Sequence, residues 1–512
     1  MKPRRWRRWL LLLVAAVLAY VVGRPLLYLA WTAAHDRATI QPAPEGYADD
    51  VSRLNATRVL EVWAVPADAA EAERQLIALL QRAREQGLPV SIAGARHSMG
   101  GHTIAPDGIV INMLPFRGMT LSADGRVLTV QSGALWAEVI PFLNARGRSV
   151  GVMQSDNGFS VGGSLSTNVH GWQSRRPPIA STVRSFRLLT PEGEVVRCSR
   201  TEHADLFSLV LGGYGLFGII LDAELWTVPN EWYATERYVF PAEDYAAMFR
   251  AHVEEDSTVI MAYGRVSVAP SRFLREAILT VFRRATPPDN PPLPLLETGS
   301  LEAVERVIFR GSVGSDYGKE LRWRMERDVG GYTTGPFVAR NQLLNGRVEL
   351  YSNRSDWQTE VLHEYFLPPE HLAAFLDTVR VAVPHHGADL LNVTLRDIRR
   401  DPDSFLRYAN QDVIAAVMLF NQARTPLADS AMARLTRRLI DAALGLGGTY
   451  YLPYRPHATQ AQFTRAYPQA AAFFARKREH DPTLLYQNRF FLTYGTPLLE
   501  HDAAPPLPEP AR

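Results

Sequence analysis

Three segments of the chain bring glycines, hydroxyls and histidines together at close spacing. The first is Ser91-Ile92-Ala93-Gly94-Ala95-Arg96-His97-Ser98-Met99-Gly100-Gly101-His102, an apolar run that opens into a glycine loop. The second is Val161-Gly162-Gly163-Ser164-Leu165-Ser166-Thr167-Asn168-Val169-His170-Gly171, and the third is Leu211-Gly212-Gly213-Tyr214-Gly215-Leu216-Phe217-Gly218-Ile219-Ile220. Without a Cβ in the way, backbone N–H groups can approach a pyrophosphate closely and bind its charge. Any one of these segments is equally the signature of a tight turn. Three in succession point to a bound phosphate ester. The chain has neither a Walker lysine nor a dinucleotide fingerprint after its first strand, which disfavours the ordinary nucleoside-triphosphate and nicotinamide folds.

The rest of the composition narrows the chemistry. Lys2, Lys319 and Lys477 are the only lysines, so nearly every positive charge is an arginine and cannot serve as a general base. The single Cys198 excludes an internal disulfide and a cysteine-based zinc site, and in Val195-Val196-Arg197-Cys198 it reads as a buried structural thiol. No metal site is expected. With 55 basic against 53 acidic residues there is no broad positive field, so nucleic acid is not an expected partner.

Several elements must position these loops. A length of 512 residues, 46% of them hydrophobic, exceeds one ordinary core and predicts two domains plus extras. From Leu60 to Pro229 short β-branched runs alternate with helical stretches: Ala69 to Gln86 as helix, then Val90 to Ala93, Gly108 to Met113 and Val127 to Val130 as strands. Ala134 to Arg146 is amphipathic, with Leu135, Val139 and Leu143 at helical spacing. After Pro229 the texture changes to polar loops, a proline-rich break at Pro287 to Pro294, and strand-like runs such as Thr258 to Tyr263 and Val413 to Phe420. The expected organisation is an N-terminal anchor or signal over 1–34, a cofactor domain over 50–229 and a substrate domain over 230–480. A segment over 481–502 returns to the cofactor domain, and 503–512 is a disordered tail.

Lys2, Arg4, Arg5, Arg7 and Arg8 precede an apolar run from Trp9 to Gly23, continued after Arg24 and Pro25 by Leu26 to Ala34. Counted through to Ala34 the segment is long enough to span a bilayer, and its basic flank favours the cytoplasmic side, leaving the body of the protein outside the cytoplasm. Arg7-Arg8-Trp9-Leu10-Leu11 also looks like a twin-arginine export signal, and Thr32 and Ala34 could form a cleavage site. A retained anchor, a removed signal and an in-plane helix are thus the three readings.

Taken together, the glycine segments resemble the FAD-linked oxidases of the vanillyl-alcohol oxidase type, which include aldonolactone oxidases, alditol oxidases and cytokinin dehydrogenases. The resemblance is strong from about Leu60 to Pro229 and patchy beyond. It implies an α+β fold with a two-subdomain, PCMH-type FAD-binding domain, and a substrate domain built on a large antiparallel sheet flanked by helices. Ala95-Arg96-His97-Ser98, followed by Ala105 to Met113, looks most like the cytokinin dehydrogenase loop, whose histidine is bonded to the flavin. This assigns covalent FAD to His97 and leaves His102 as the rival. In the family's terms Gly94, Ala95, Arg96, His97 and Ser98 hold the cofactor from one loop. Gly162, Gly163, Ser164, Thr167, Gly213, Gly218, Ile219 and Asn488 hold it from the others.

The reaction implied is removal of hydride from a carbon bearing a hydroxyl or amine, while a side chain takes the heteroatom's proton. Glu364, in Leu362-His363-Glu364-Tyr365, resembles a residue of the substrate-contacting strand in the sugar-oxidising members, with an exposed strand carboxylate as the alternative. His170 stands in a sequence similar to the Thr-His-Gly of aldonolactone oxidases, or simply orders the loop. Asp156 lies close to the catalytic aspartate of cytokinin dehydrogenases, at a spacing to Gly162 one residue short. Arg396 would clamp a polar or anionic substrate, or sit on the surface. Tyr450-Tyr451-Leu452-Pro453-Tyr454-Arg455 resembles the closing segment of cytokinin dehydrogenases and of lipid-linked ribose oxidases, but lacks the lysine that the latter carry near Tyr454. An aromatic pair there could enclose the substrate. The leading expectation is oxidation of a CH–OH group in a sugar, aldonolactone or polyol, with oxygen or a quinone as acceptor. The alternatives are CH–NH oxidation of an amine, and a membrane-tethered flavoprotein that only passes electrons.

Overall fold

The computed structural model describes residues 4–36, 42–289, 291–294, 296, 302–330, 335–348 and 351–503. The expected tail over 503–512 therefore lies almost wholly outside the described residues. Helices and strands are mixed and the sheets largely segregated, as in an α+β protein.

Two sheets carry the glycine loops. Glu61–Ala64, Ile109–Asn112 and Val90–Ala93 form a parallel three-stranded sheet with Ile109–Asn112 in the centre. The helix Ala69–Gln86 makes the crossover from one edge strand of this parallel sheet to the other. Its ends follow from local chemistry: the Asp68 side chain accepts from the Glu71 N–H, and Gly87 ends it at φ +64°, where a side chain would be strained. Leu76, Leu79, Leu80 and Ala83 bury its apolar stripe against Val90, Ile109 and Ile111. The second sheet is antiparallel, in the order Val195–Ser199, Val183–Leu189, Ile219–Pro229, Val127–Gln131, Met119–Leu121, with Arg148–Val150 also paired to the long Ile219–Pro229 strand. Cys198 is fully buried in it, and burial pushes its thiol up to about 12, which leaves it inert.

The third sheet begins at Trp232, three residues after the second ends. Its eight antiparallel strands run Phe337–Ala339, Trp232–Pro241, Glu276–Arg284, Val259–Val266, Asp389–Ile398, Val413–Ala423, Gln358–Leu367 and Thr449–Tyr450. The helices Leu372–His385 and Pro426–Gly445 pack together and bury apolar stripes in the same core. The strand period of two decides what faces where. In Gln358–Leu367, Leu362 and Glu364 line the large cavity described below. His363, between them, turns the other way and meets Thr436 of the Pro426–Gly445 helix at 3.3 Å.

The chain then returns to its start. Val90 donates to Leu485 O and Gln487 donates to Val90 O, so the 485–487 segment lies alongside the first glycine strand. A buried Lys477–Asp481 ion pair fixes the turn, with Asp481 also accepting from the N–H groups of Leu485 and Tyr486. At the other end Arg4–Leu18, Ala19–Gly23 and Arg24–His35 follow one another as helix, and Trp6–His35 is long and apolar enough to cross a membrane.

Candidate active site

A cavity of about 1040 Å³ lies between the glycine loops and the eight-stranded sheet, at the upper end of the ~300–1,000 Å³ usual for small-ligand sites. All three glycine segments reach it. Gly94, Ala95, Arg96, His97 and Ser98 line it from the first, Gly162, Gly163 and Thr167 from the second, and Gly215 and Gly218 from the third. The absence of side chains is required here. A Cβ on Gly94 would lie 2.0 Å from Ser160 Oγ and one on Gly162 2.7 Å from Ser132 Cβ. Gly215 is held at φ +73°, where a side chain would be strained.

Four expected contacts lie behind the wall and do not line the cavity. Ser164 is buried between Trp136 Nε1 and Gln154, its hydroxyl bonded to both. Gly213 has Leu209 O where a Cβ would be, and closes a helix end. Ile219 belongs to the apolar core under the parallel sheet. Asn488 donates to Tyr214 O and caps Phe491 N, so it fastens the returning C-terminal segment to the third glycine loop. In each case a residue of the right type supports the loop instead of facing into it.

Three hydroxyls in the cavity wall, Ser98 Oγ, Thr103 Oγ1 and Ser132 Oγ, are buried with no hydrogen-bond partner among the described residues. A buried polar atom left unpaired costs about 1–3 kcal/mol, so three together mark a surface shaped for a polar ligand. With the glycine loops, they fit an FAD whose phosphates and ribityl hydroxyls need such partners. His97 stacks on Phe159 with ring centroids 4.1 Å apart, and its Nε2 meets Gly158 O at 3.2 Å, so the ring is held in one orientation at the cavity edge. His102 lies deeper. Burial holds its imidazole down at about 4, and it packs against Tyr214 and Phe490.

The residues singled out for catalysis meet on the other side of the cavity. His170 Nε2 lies 2.5 Å from Glu364 Oε1, with the two side chains 4% and 1% exposed. The Glu364 carboxylate is thus no surface group. Its other oxygen, Oε2, accepts from Tyr454 Oη at 3.0 Å. Burial acts to raise the Glu364 pKa, but His170, Arg396 and Tyr454 outweigh it and hold the carboxyl below the ordinary value. Arg396, one period along its own strand from Thr394, donates to Ser155 Oγ at 3.1 Å, and Ser155 donates to Asp156 Oδ2 at 3.0 Å. His170, Glu364, Arg396 and Asp156 therefore stand in one connected wall.

Local sequence explains how His170 arrives there. The Val161–Thr167 helix ends at Asn168 in the left-handed region, φ +50°, an orientation asparagine tolerates. Asn168 is locked by Asp401, Ser404 and the Ala180 N–H, and Tyr408 donates to its carbonyl. The ring of His170 then sits among Phe366, Tyr408 and Tyr451, with centroids 5.7 to 5.9 Å away. Tyr454 as the partner of Glu364 was not expected beyond its place in an aromatic pair. The signal for it, a tyrosine in the closing segment, did not specify a contact 90 residues away.

The family model described as the FAD binding domain matches residues 67–199. Cytokinin dehydrogenase 2 of Oryza sativa subsp. japonica is 31% identical over 188 residues, 35% of this chain and 33% of its own length. This chain thus spans about a third of that relative's length. Two longer matches are weaker in identity. Cytokinin dehydrogenase 3 of Arabidopsis thaliana is 25% identical over 78% of this chain and 79% of its own. Cytokinin dehydrogenase 5 of Oryza sativa subsp. japonica is 25% identical over 81% and 83%. The matched domain contains the first two glycine loops and ends at Ser199, the end of an edge strand of the second sheet. Residues 67–199 thus match an FAD-binding domain of the PCMH type, as found in FAD-linked oxidases, and over most of its length the chain is similar to cytokinin dehydrogenases.

Proposed function

We propose that the protein oxidises a CH–OH group of a sugar, aldonolactone or polyol, with His170 as proton acceptor. The observation that carries this reading is the buried His170–Glu364 pair in the wall of the cavity. Bound flavin supplies the acceptor for the hydride. In this reading the ionised Glu364, 2.5 Å from His170 Nε2, favours the hydrogen on that nitrogen, which leaves Nδ1 as the basic one. Nδ1 is buried and has no hydrogen-bond partner among the described residues. It takes the hydroxyl proton, and the imidazolium so formed is stabilised by Glu364, itself kept ionised by Tyr454 and Arg396. Arg396 and Asp156 offer the polar contacts that orient the substrate, while Tyr451 and Tyr454 close over it and exclude water.

FAD is attached covalently through His97 in this reading, as the oriented ring at the cavity edge supports. Oxygen or a membrane quinone reoxidises it. The apolar helix Trp6–His35 tethers the protein to a membrane with the catalytic body outside the cytoplasm. An anaerobic screen tests the substrate class. Polyols, sugars and aldonolactones should bleach the flavin in wild type, and His170→Ala should stop this. A second reading, CH–NH oxidation of an amine, is favoured by Asp156 in the cavity wall and by the names of the relatives. Bleaching by amines but by no hydroxyl compound would put it in place of the first.

A further inference from the structure

The cavity has an outer wall that the oxidation chemistry does not use. It is built by two helices, Glu302–Gly311 and Asp316–Asp328, which contribute Val304, Ile308, Phe309 and Met325, with Val329 just beyond the second. Val304 and Val329 are 48% and 45% exposed, so this apolar lining continues to the molecular surface.

The same two helices carry the N-terminal apolar helix. Tyr28 Oη donates to Gly311 O at 2.6 Å, and the Tyr28 ring meets Tyr317 edge-on at 5.1 Å. The Arg24 guanidinium lies over Tyr317 at 4.1 Å. The helices approach each other closely where Gly318 meets Gly311, since a Cβ on Gly318 would be 1.8 Å from Gly311 O. Below this contact the buried Arg306 forms a bidentate pair with Asp36, at 2.6 and 2.9 Å. Arg24 to Asp36 is therefore fixed to the cavity wall, while Trp9, Leu11 and Leu13 further up the helix are 72%, 68% and 62% exposed. One layer of helix, ~10 Å, separates the cavity from the segment that would enter a bilayer.

Most charged groups in this part of the cavity are paired among the described residues, Glu305 excepted. Arg265 pairs with Glu326 at 2.6 Å, and Arg322 donates to Leu391 O at 2.8 Å. The rest of this lining is mostly apolar. We infer that the outer half of the cavity is a subsite for the hydrocarbon tail of a bilayer-resident amphiphile, entered past Val304 and Val329, with the polar head directed toward His170 and Glu364. The assignment of the head rests on the function proposed above; the tail site does not.

The test uses full-length holoprotein in phosphatidylcholine nanodiscs and dodecanol carrying a diazirine at its far end. After illumination, labelled peptides are mapped by mass spectrometry. Label is expected on Ile308, Phe309, Met325 or Val329, and should be lost in Val304→Trp and Ile308→Trp, each checked for wild-type flavin content. Shortening the chain toward butanol should weaken labelling by about fourfold per methylene removed, the value of a buried CH₂. Label confined to Trp6–Val22, or cavity label unchanged in both tryptophan variants, would overturn the tail site. Flavin bleaching by the same alcohol is read separately. Cavity labelling without bleaching by this alcohol or by any polyol, sugar or aldonolactone keeps the tail site and removes the CH–OH reading, whereas bleaching without cavity labelling does the reverse.

Discussion

Replacing Glu364 by glutamine keeps the side-chain shape and removes the charge that faces His170. In wild type the carboxylate lies 2.5 Å from His170 Nε2 and both groups are out of solvent. If His170 takes a proton in the transition state, that charge is stabilised by a carboxylate about 4 Å from the ring centre, worth about 4 kcal/mol at an effective dielectric of 20. At 1.36 kcal/mol per decade this is about three orders of magnitude, within the 10²–10⁴ range of general base catalysis. Competing water and the hydrogen bond that glutamine retains reduce it, so flavin reduction in Glu364→Gln should slow by about 10²–10³. Because the interaction strengthens only as the proton moves, kcat and kcat/KM should fall together with little change in KM. The pH profile adds a second readout. Burial acts to raise the wild-type carboxyl, but His170, Arg396 and Tyr454 hold it below its ordinary value, so its acid limb should lie below the usual carboxylate range and be absent from the variant. The assay is anaerobic stopped-flow bleaching of flavin by any substrate that reduces the wild type. His170→Ala and the double variant are run alongside, and the double variant should be no slower than His170→Ala. A Glu364→Gln rate within about threefold of wild type, at equal flavin content, would refute the proton-acceptor role.

Two further substitutions probe the scaffold around this pair. Gly171→Ala places a Cβ 1.9 Å from Met153 O, a backbone atom that cannot swing away. Overpacking of this kind costs about 1–3 kcal/mol and must shift the neighbouring His170. Thermal unfolding should show a lower midpoint and stopped-flow a slower flavin reduction, and an unchanged rate would mean that His170 need not be held where it is. Asp397, next to Arg396, is buried and accepts from the Arg175 N–H at 2.8 Å. Burial pushes its carboxyl up to about 6. A raised acid contributes stability that is complete below about pH 4 and lost as pH rises through about 6. Asp397→Asn should therefore gain about 3 kcal/mol relative to wild type between these limits, and denaturant unfolding at both pH values that shows no such gain would contradict the burial argument.

The glycine loops were readable in the sequence because their requirement is local. Gly94 and Gly162 are needed where Ser160 and Ser132 pack against the backbone, and Gly215 where it turns left-handed. The helix Ala69–Gln86 is equally local, with Asp68 and Gly87 as its punctuation. Residues of suitable type near those loops were harder to separate. Ser164, Gly213 and Ile219 each adjoin a lining residue in the chain yet turn away from the cavity, and Asn488 meets the third loop only through the returning C-terminal segment. His170 and Glu364 are 194 residues apart, and only the pairing of Gln358–Leu367 between two other strands turns Glu364 toward the loop. Nothing in either local sequence encodes that meeting, nor the contact of Tyr454 with the same carboxylate. The amphipathic pattern of Glu302–Gly311 shows that one face is covered. It does not show that one side holds a cavity and another the N-terminal helix.

Acid denaturation of the purified protein tests the central claim, flavin held in this cavity and bonded at His97, most directly. Wild type and His102→Ala should precipitate yellow, and His97→Ala should release its flavin to the supernatant. A natively folded wild-type protein that is colourless and takes up no added FAD would contradict the whole account.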